Sequence, residues 1–198
     1  TPHNGSILTN GVGVQLNGER TAAEAISAAG LDWEIEQRDL FTRQSSLDHW
    51  KAITRADTNE TFAILTEHYE PLQNREAFDF CDAMIAQGEA IFDTAGSFFG
   101  GRKVWILLKL PNDIRVIPGD TVQPYILLSN SHDGTQALRV MFCPVRIVCS
   151  NTLSYVLRQG GGFKAKHTKN VLNRAVEARE LLELGNAYYE IFARQVDR

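Results

Sequence analysis

The sequence predicts an α+β fold: a single domain with a largely antiparallel sheet built from hairpins, helices packed on one face and a long C-terminal helix. Segments that alternate like half-buried strands come in pairs joined by tight turns, which favours antiparallel neighbours. Two longer segments have the three- and four-residue apolar spacing of amphipathic helices. A chain of 198 residues that is 43% hydrophobic suits one core better than two independent domains.

The chain begins with a Gly/Asn-rich stretch of little periodicity. We predict an extended N-terminal arm over residues 1–20 and a single α+β domain over 21–198. Thr21 and Glu24 have the spacing of a capping box, and Gly30 is a helix stop, so a short helix is expected between them.

Three strands and a second helix are predicted next. Trp33, Ile35 and Gln37 alternate with charged residues, and "WKAITRA" and "TFAILT" form a hairpin through "DTNE". A helix is expected from Asn74, as its N-cap, to Gly88.

The second half repeats the hairpin pattern. "AIFDTAGSFFGGRKVWILLKL" turns at Gly100–Gly101, where positive φ is tolerated, and "PNDIRVIPGD" is a loop with a short strand. A second hairpin turns at "HDGT", followed by a short helix, "NTLSYVLRQ". "GGGFKAKHT" is a glycine-hinged loop or strand, and the long helix covers residues 169–196.

Charge is distributed unevenly along the chain. Residues 1–95 contain 6 Lys/Arg and 16 Asp/Glu, a net charge of −10, whereas residues 96–198 contain 14 and 8, a net charge of +6. No acidic residue occurs over 134–176, which favours a polyanion site because carboxylates would repel phosphate. The alternative is a solvated basic face balanced by the acidic half. The basic residues of this segment are Arg139, Arg146, Arg158, Lys164, Lys166, Lys169 and Arg174.

Candidate catalytic residues cluster at the second turn. Ser131, His132 and Asp133 are neighbours, and adjacent side chains of a strand point to opposite faces, so they cannot form a triad among themselves. "HDGT" is typical of a turn, because Asp bonds to its own backbone and Gly accepts positive φ. A catalytic His132 remains an alternative. The five histidines lack metal-site spacing, so we expect no metal or other cofactor.

Two aromatic residues beside glycines are candidates for exposure. Phe99 precedes Gly100, with Arg102 and Lys103 close behind, and Phe163 precedes Lys164. Single-strand binders combine a basic track with rings on which bases stack. "GGGF" lacks the Lys-Ser/Thr of a phosphate loop, so ATP use is not indicated.

Four segments together carry a resemblance: "YEPLQNREAFDF", "TAGSFFGGRKVWILLKLP", "LLSNSHDGTQALRVMFCPVRIVCSNTL" and "KHTKN". They resemble the phage/plasmid-like domain family of prophages, plasmids and bacteriophages, over about Leu31 to Tyr189. The family is largely of unknown function, so the resemblance implies a mobile-element protein of the bacterial cytoplasm. In architecture alone, the predicted fold is similar to the RecT/Redβ/Erf group of single-strand annealing proteins, which act without ATP.

From the basic segment and these resemblances we expect an ATP-independent single-stranded DNA-binding protein that promotes strand annealing in phage or plasmid recombination. It would act as a homo-oligomeric ring or filament. The sequence contains no membrane-spanning apolar run and no visible secretory signal, in keeping with a cytoplasmic protein. One alternative is a scaffold or host-factor-binding protein, and a less favoured one is a metal-dependent nuclease or hydrolase using His132 and Asp133. The expected DNA contacts are Phe99, Arg102, Lys103, Arg139, Arg146, Arg158, Phe163, Lys164, Lys166, Lys169 and Arg174.

Overall fold

The computed structural model describes residues 6–7, 13–79, 81–117, 120–143, 146–147, 149–159 and 162–167. Within them the fold is α+β with antiparallel sheets and few helices. The predicted long helix over 169–196 lies outside the described residues. The strands are β1 Ser6–Ile7, β2 Val14–Gln15, β3 Ile35–Phe41, β4 Ser46–Arg55, β5 Thr61–Thr66, β6 Ile91–Phe98, β7 Lys103–Lys109, β8 Ile114–Ile117, β9 Asp120–Val122, β10 Tyr125–Ser131, β11 Leu138–Cys143 and β12 Phe163–Ala165. The helices are α1 Ala22–Ala28, α2 Asn74–Phe78, α3 Cys81–Ala86 and α4 Ser150–Gln159, with a 3₁₀ turn at Phe99–Gly101.

The described strands form three sheets in which every pairing is antiparallel. The large sheet has the order β1-β2-β6-β7-β10-β11-β12, the small sheet has the order β3-β4-β5, and β8 and β9 form a separate hairpin. The predicted hairpins β4–β5, β6–β7 and β10–β11 are confirmed. The glycine-hinged segment forms β12, which pairs with β11 at one edge of the large sheet.

The N-terminal segment supplies two short strands. β2 pairs with β6, and the Leu16 amide donates to the Asp93 carbonyl at 2.8 Å. Leu16 is buried in the core. β1, β2 and Leu16 therefore belong to or contact the large sheet.

Both faces of the large sheet are covered. On one face Ile106 and Leu128 belong to the main core, which also contains apolar residues of α1, α2, α3 and the small sheet. On the other face Leu107 and Leu127 pack with Leu153 of α4. Alternation along β7 and β10 sends successive side chains to opposite faces. The expectation of helices on one face is thus corrected, because α4 carries its own apolar stripe to the second face.

The first two predicted helices have different outcomes. Helix α1 begins as expected, since the Glu24 amide donates to Thr21 Oγ1 at 3.2 Å. The predicted single helix over 74–88 is instead the two short helices α2 and α3. The N-cap of α2 is Gln73 rather than Asn74, and its amide donates to Glu76 Oε2 at 3.1 Å. Asn74 cannot serve as the cap because its buried side chain is hydrogen-bonded to the Leu31 carbonyl and to His132.

The small sheet leaves part of its surface open. The core end of β4 is buried at Ile53, whereas every residue from 41 to 50 is exposed. Register places Trp50 opposite Thr66 and Ala52 opposite Ile64, so Trp50 and Ile64 share one face. Phe41, at the end of β3, is 71% exposed. The outer half of the β3–β4 hairpin therefore presents apolar side chains to solvent.

Candidate nucleic-acid interface

The turn between β6 and β7 packs tightly against the small sheet. Gly100 and Gly101 both have positive φ, 70° and 105°, as predicted. A Cβ on Gly101 would lie 2.9 Å from Trp33 Cζ2 and 3.3 Å from Phe62 Cζ, so only glycine allows this approach. We call this cluster the turn junction; its members are Trp33, Arg55, Phe62, Gly101, Arg102 and His132.

Two arginines of the turn junction lie over its rings. The Arg55 guanidinium is 4.5 Å from the Trp33 ring centroid. The Arg102 guanidinium is 5.3 Å from the Phe62 centroid, and its Nη2 forms an ion pair with Glu60 Oε1 at 2.9 Å. Arg102, an expected DNA contact, therefore already has an anionic partner within the chain.

His132 lies in the floor of the turn junction and is fully buried. Asn74 Nδ2 donates to the Leu31 carbonyl at 2.8 Å, which orients the amide so that its Oδ1 faces His132 Nε2 at 2.8 Å. Nε2 must then carry the proton and donate it. Nδ1 has no hydrogen-bond partner among the described residues. The ring also meets Trp33 edge-on, with centroids 5.3 Å apart.

This environment keeps His132 neutral. Burial lowers its pKa to about 3; protonation of His167 lowers the pKa further, and the Asp133 carboxylate opposes the shift. A protonated ring would have a second N–H without an acceptor. A buried, neutral ring that is held by Asn74 has a structural role, and the described fold gives it no access to a substrate.

The polar residues after β10 hold their own turn. Asp133 Oδ1 accepts from the Thr135 amide at 3.0 Å and from its hydroxyl at 2.6 Å. Ser131 Oγ donates to the Gln136 carbonyl at 3.0 Å, and Gln136 Nε2 donates to Ser129 Oγ at 3.1 Å. "HDGT" is thus a turn closed by its aspartate, as predicted. No group of three or more His, Cys, Asp or Glu side chains that could hold a metal ion occurs among the described residues.

Two more expected contacts are engaged inside the fold. Arg146 Nε and Nη2 donate to the two carboxylate oxygens of Asp93 at 2.9 and 3.1 Å. Arg139 Nη1 donates to the Leu157 carbonyl of α4 at 3.0 Å. Both arginines thus have partners within the chain, Asp93 of β6 and Leu157 of α4. Their use as DNA contacts stays a prediction.

The remaining described cations are more open. Lys103 Nζ lies 5.8 Å from the ring centroid of Phe99, which is 59% exposed. Arg158, Lys164 and Lys166 are exposed, and none of the three forms an ion pair with a described residue. Lys169, Arg174 and the side chain of Phe163 lie outside the described residues.

A groove of about 520 Å³ opens beside the second turn. Trp50 and Tyr69 line it from the side of the small sheet, residues 134–137 from the turn, and Lys166 and His167 from the end of β12. Trp50 is 47% exposed. Four ring systems, those of Trp50, His68, Tyr69 and His167, and one cation therefore line one open space.

One wall of the groove is a stacked pair of rings. The Tyr69 and His167 ring centroids are 5.0 Å apart with planes at 29°. The Tyr69 hydroxyl donates to the Ser131 carbonyl at 3.2 Å, and the Glu70 amide donates to the His167 carbonyl at 3.3 Å. Burial raises the pKa of Tyr69 and lowers the pKa of His167, so both rings are uncharged at neutral pH.

Sequence reasoning missed Trp50 and Tyr69 as site residues. The sequence predicts that Trp50 lies in a strand. The signal for its exposure is that three polar residues, Asp48, His49 and Lys51, lie beside it. Tyr69 lies in an irregular link and carries no local signal, because its partner His167 is remote in the chain.

The family match covers most of the chain. A family model described as "Domain of unknown function (DUF932)" matches residues 61–198. The chain belongs to the DUF932 family. No curated protein and no solved structure matches it significantly. The DUF932 segment contains the β6–β7 turn, the "HDGT" turn, β12 and Tyr69. Trp50 and the other residues of β3 and β4 precede it.

None of the described helices is both long enough and apolar enough to cross a membrane.

Proposed function

We propose that this DUF932 protein is an ATP-independent single-stranded DNA-binding protein that promotes strand annealing in phage or plasmid recombination. Annealing requires no bond chemistry. It requires cations that hold backbone phosphates while the bases stay available for pairing.

The observation that carries the proposal is the position of Lys164 and Lys166. Both lie on or directly after β12, the last strand in the order of the described large sheet, and both are exposed. Lys166 also lines the groove. Because no carboxylate occurs over residues 134–176, these ammonium groups have no acidic neighbour in sequence to compete with phosphate.

The charge distribution also supports a homo-oligomer. The net charge of residues 1–95 is −10 and that of residues 96–198 is +6, so the acidic half of one copy complements the basic half of another. The four motifs that resemble the phage/plasmid-like family support a mobile-element setting.

The first test is fluorescence anisotropy of a labelled oligonucleotide, single-stranded and duplex, over a salt series. We expect single strands to bind more tightly, with a steep decrease in affinity as salt rises. The double variant Lys164→Glu/Lys166→Glu should weaken binding and flatten the slope of log K against log[salt] by about 1.4, the value for two lost phosphate contacts.

The matched control is Arg20→Glu/Arg75→Glu. These two arginines are exposed, lie near α1 and α2, and give the same change in net charge without lining the groove. We expect their salt slope to remain close to that of the wild type. Equal effects of the two double variants would mean that net charge, and not the β12 edge, governs binding.

A protein partner is the second candidate function, because Trp50 and Ile64 are 47% and 55% exposed on one face of the small sheet. Exposed apolar side chains on one surface are typical of protein interfaces. Absence of oligonucleotide binding at low salt would favour this candidate over the first.

A further inference from the structure

We propose that the groove is a binding site for unpaired nucleobases, and that Trp50 is the ring on which a base stacks. This inference rests on the proposed function and adds to it the part of the nucleic acid that the groove recognises. Of the residues that line the groove, only Lys166 is among the DNA contacts expected from the sequence.

Trp50 differs from the other two tryptophans of the chain. Trp33 and Trp105 are buried in the two cores, whereas Trp50 is 47% exposed. An aromatic ring that is half open to solvent beside a concave space offers a large flat surface to a ligand ring. Base stacking on such a ring needs no hydrogen-bond pattern, because every base has a π face.

The wall formed by Tyr69 and His167 is held in place before any ligand arrives. The Tyr69 and His167 rings stack on each other, the Tyr69 hydroxyl is bonded to the Ser131 carbonyl, and the His167 carbonyl is bonded to the Glu70 amide. These contacts fix both rings through the backbone of β10 and the end of β12. A preformed wall reduces the ordering cost of binding.

The size and polar groups of the groove suit a nucleotide. Its volume of about 520 Å³ lies within the range of about 300–1,000 Å³ that is common for small-ligand sites. Lys166 lines the same space and can contact a phosphate while the base lies against the rings. The exposed Thr66 and His68 add a hydroxyl and an imidazole to the lining.

A base site in the groove also predicts a preference for single strands. In a duplex each base is paired and stacked on its neighbours, so its faces are not available to a protein ring. One unpaired base can turn into the groove while its backbone passes Lys166 and Lys164, and the other bases of the strand stay available for pairing.

The experiment uses the protein's own fluorescence. An oligodeoxythymidylate of about 16 nucleotides, the upper end of common single-strand site sizes, is titrated into the protein while tryptophan emission is followed. A duplex of the same length and thymidine monophosphate are titrated in parallel. We expect the single strand to quench emission strongly, because its bases cover the most exposed tryptophan, and the duplex to quench it little.

Three variants assign the signal. Trp50→Ala should lower single-strand affinity about tenfold or more, as expected for the loss of a stacked base. Trp50→Phe should retain most of the affinity but lose most of the quenching. Phe41→Ala is the matched control, since it removes another exposed aromatic ring from the same hairpin outside the groove, and it should leave both readouts unchanged. Circular dichroism checks that each variant is folded.

The outcomes separate this inference from the proposed function. Salt-dependent binding by anisotropy without any tryptophan quenching would overturn the base site and leave single-strand binding standing. Equal losses in Trp50→Ala and Phe41→Ala would also overturn it. Quenching by thymidine monophosphate at the affinity of the oligonucleotide would overturn the assignment to a strand. Absence of binding to any nucleic acid would overturn both proposals.

Discussion

The turn junction and the groove contain the same kinds of side chain in opposite states. Each has a tryptophan, a second aromatic ring, at least one histidine and at least one cation. In the turn junction Arg102 is neutralised by Glu60, and His132 is hydrogen-bonded to Asn74 inside the core. In the groove, Trp50 is half exposed and Lys166 has no ion-pair partner among the described residues.

The difference shows that residue types alone do not identify a binding site. Rings and cations that contact one another stabilise the packing of the two sheets. The same groups, when they are exposed to solvent, can bind a ligand. The sequence suggests a catalytic role for His132 and none for His167. His132 is nevertheless the more deeply buried of the two.

The largest expected effect comes from removing a tryptophan from each region. Trp33→Ala should lower the free energy of unfolding by about 3–5 kcal/mol, because it leaves a cavity between the two sheets. Trp50→Ala should lower it by less than about 1 kcal/mol, since half of its surface already meets solvent. Urea denaturation followed by circular dichroism measures both. Similar losses would show that Trp50 is a packing residue, and the contrast between the regions would fail.

The next effect concerns the close approach at the turn junction. Gly18 and Gly101 have nearly equal φ values, 102° and 105°, but no atom lies within 4 Å of a Cβ built on Gly18. Gly18→Ala should therefore show the backbone strain alone, about 1–3 kcal/mol. Gly101→Ala should lose at least about 1 kcal/mol more, because its methyl group meets Trp33. Urea denaturation measures both losses of stability. Equal losses would mean that the small sheet moves to accommodate the added methyl group at no cost in free energy.

The smallest effect is a pH dependence from His132. Its pKa is about 3 in the folded state and near 6.5 when unfolded, so the unfolded chain binds the proton first as pH falls. The stability from neutral His132 is complete above pH 6.5 and is lost as the pH falls towards 3. Between pH 7 and pH 6 the loss is about 0.7 kcal/mol.

The variant His132→Gln should remove this part of the pH dependence, while His68→Gln, on an exposed position, should retain it. His167 contributes a loss of the same sign, because its pKa is also lowered. Urea denaturation at the two pH values measures the difference. If His132→Gln keeps the full wild-type dependence, the buried ring is not the group that titrates.

Much of the fold could be predicted because its signals are local. The turn residues Gly100 and Gly101, and the "HDGT" turn, lie between alternating strands, so the hairpins follow from neighbouring residues. The position of Asn74 could not be predicted in this way. Its side chain satisfies Leu31 and His132, which are remote in the chain, and that long-range need overrides its preference for an N-cap.

Less of the candidate site could be predicted, for the same reason. A run of cations in sequence does not show which of them find carboxylates. Arg102 pairs with Glu60 and Arg146 pairs with Asp93, and both acids come from the acidic half. The groove likewise brings Trp50 and Tyr69 to the end of β12 across most of the chain.

The pairing of β2 with β6 has a consequence for folding. The small sheet and α1, α2 and α3 all lie in the chain between these two strands. The hairpins β6–β7 and β10–β11 close through short turns, but β2 can reach β6 only by closing a long loop, which has a higher entropic cost. Until β2 docks, the edge of β6 has free backbone N–H and C=O groups that could pair with another chain. The N-terminal strands thus cover the edge of β6, and that protection depends on closing the long loop between β2 and β6.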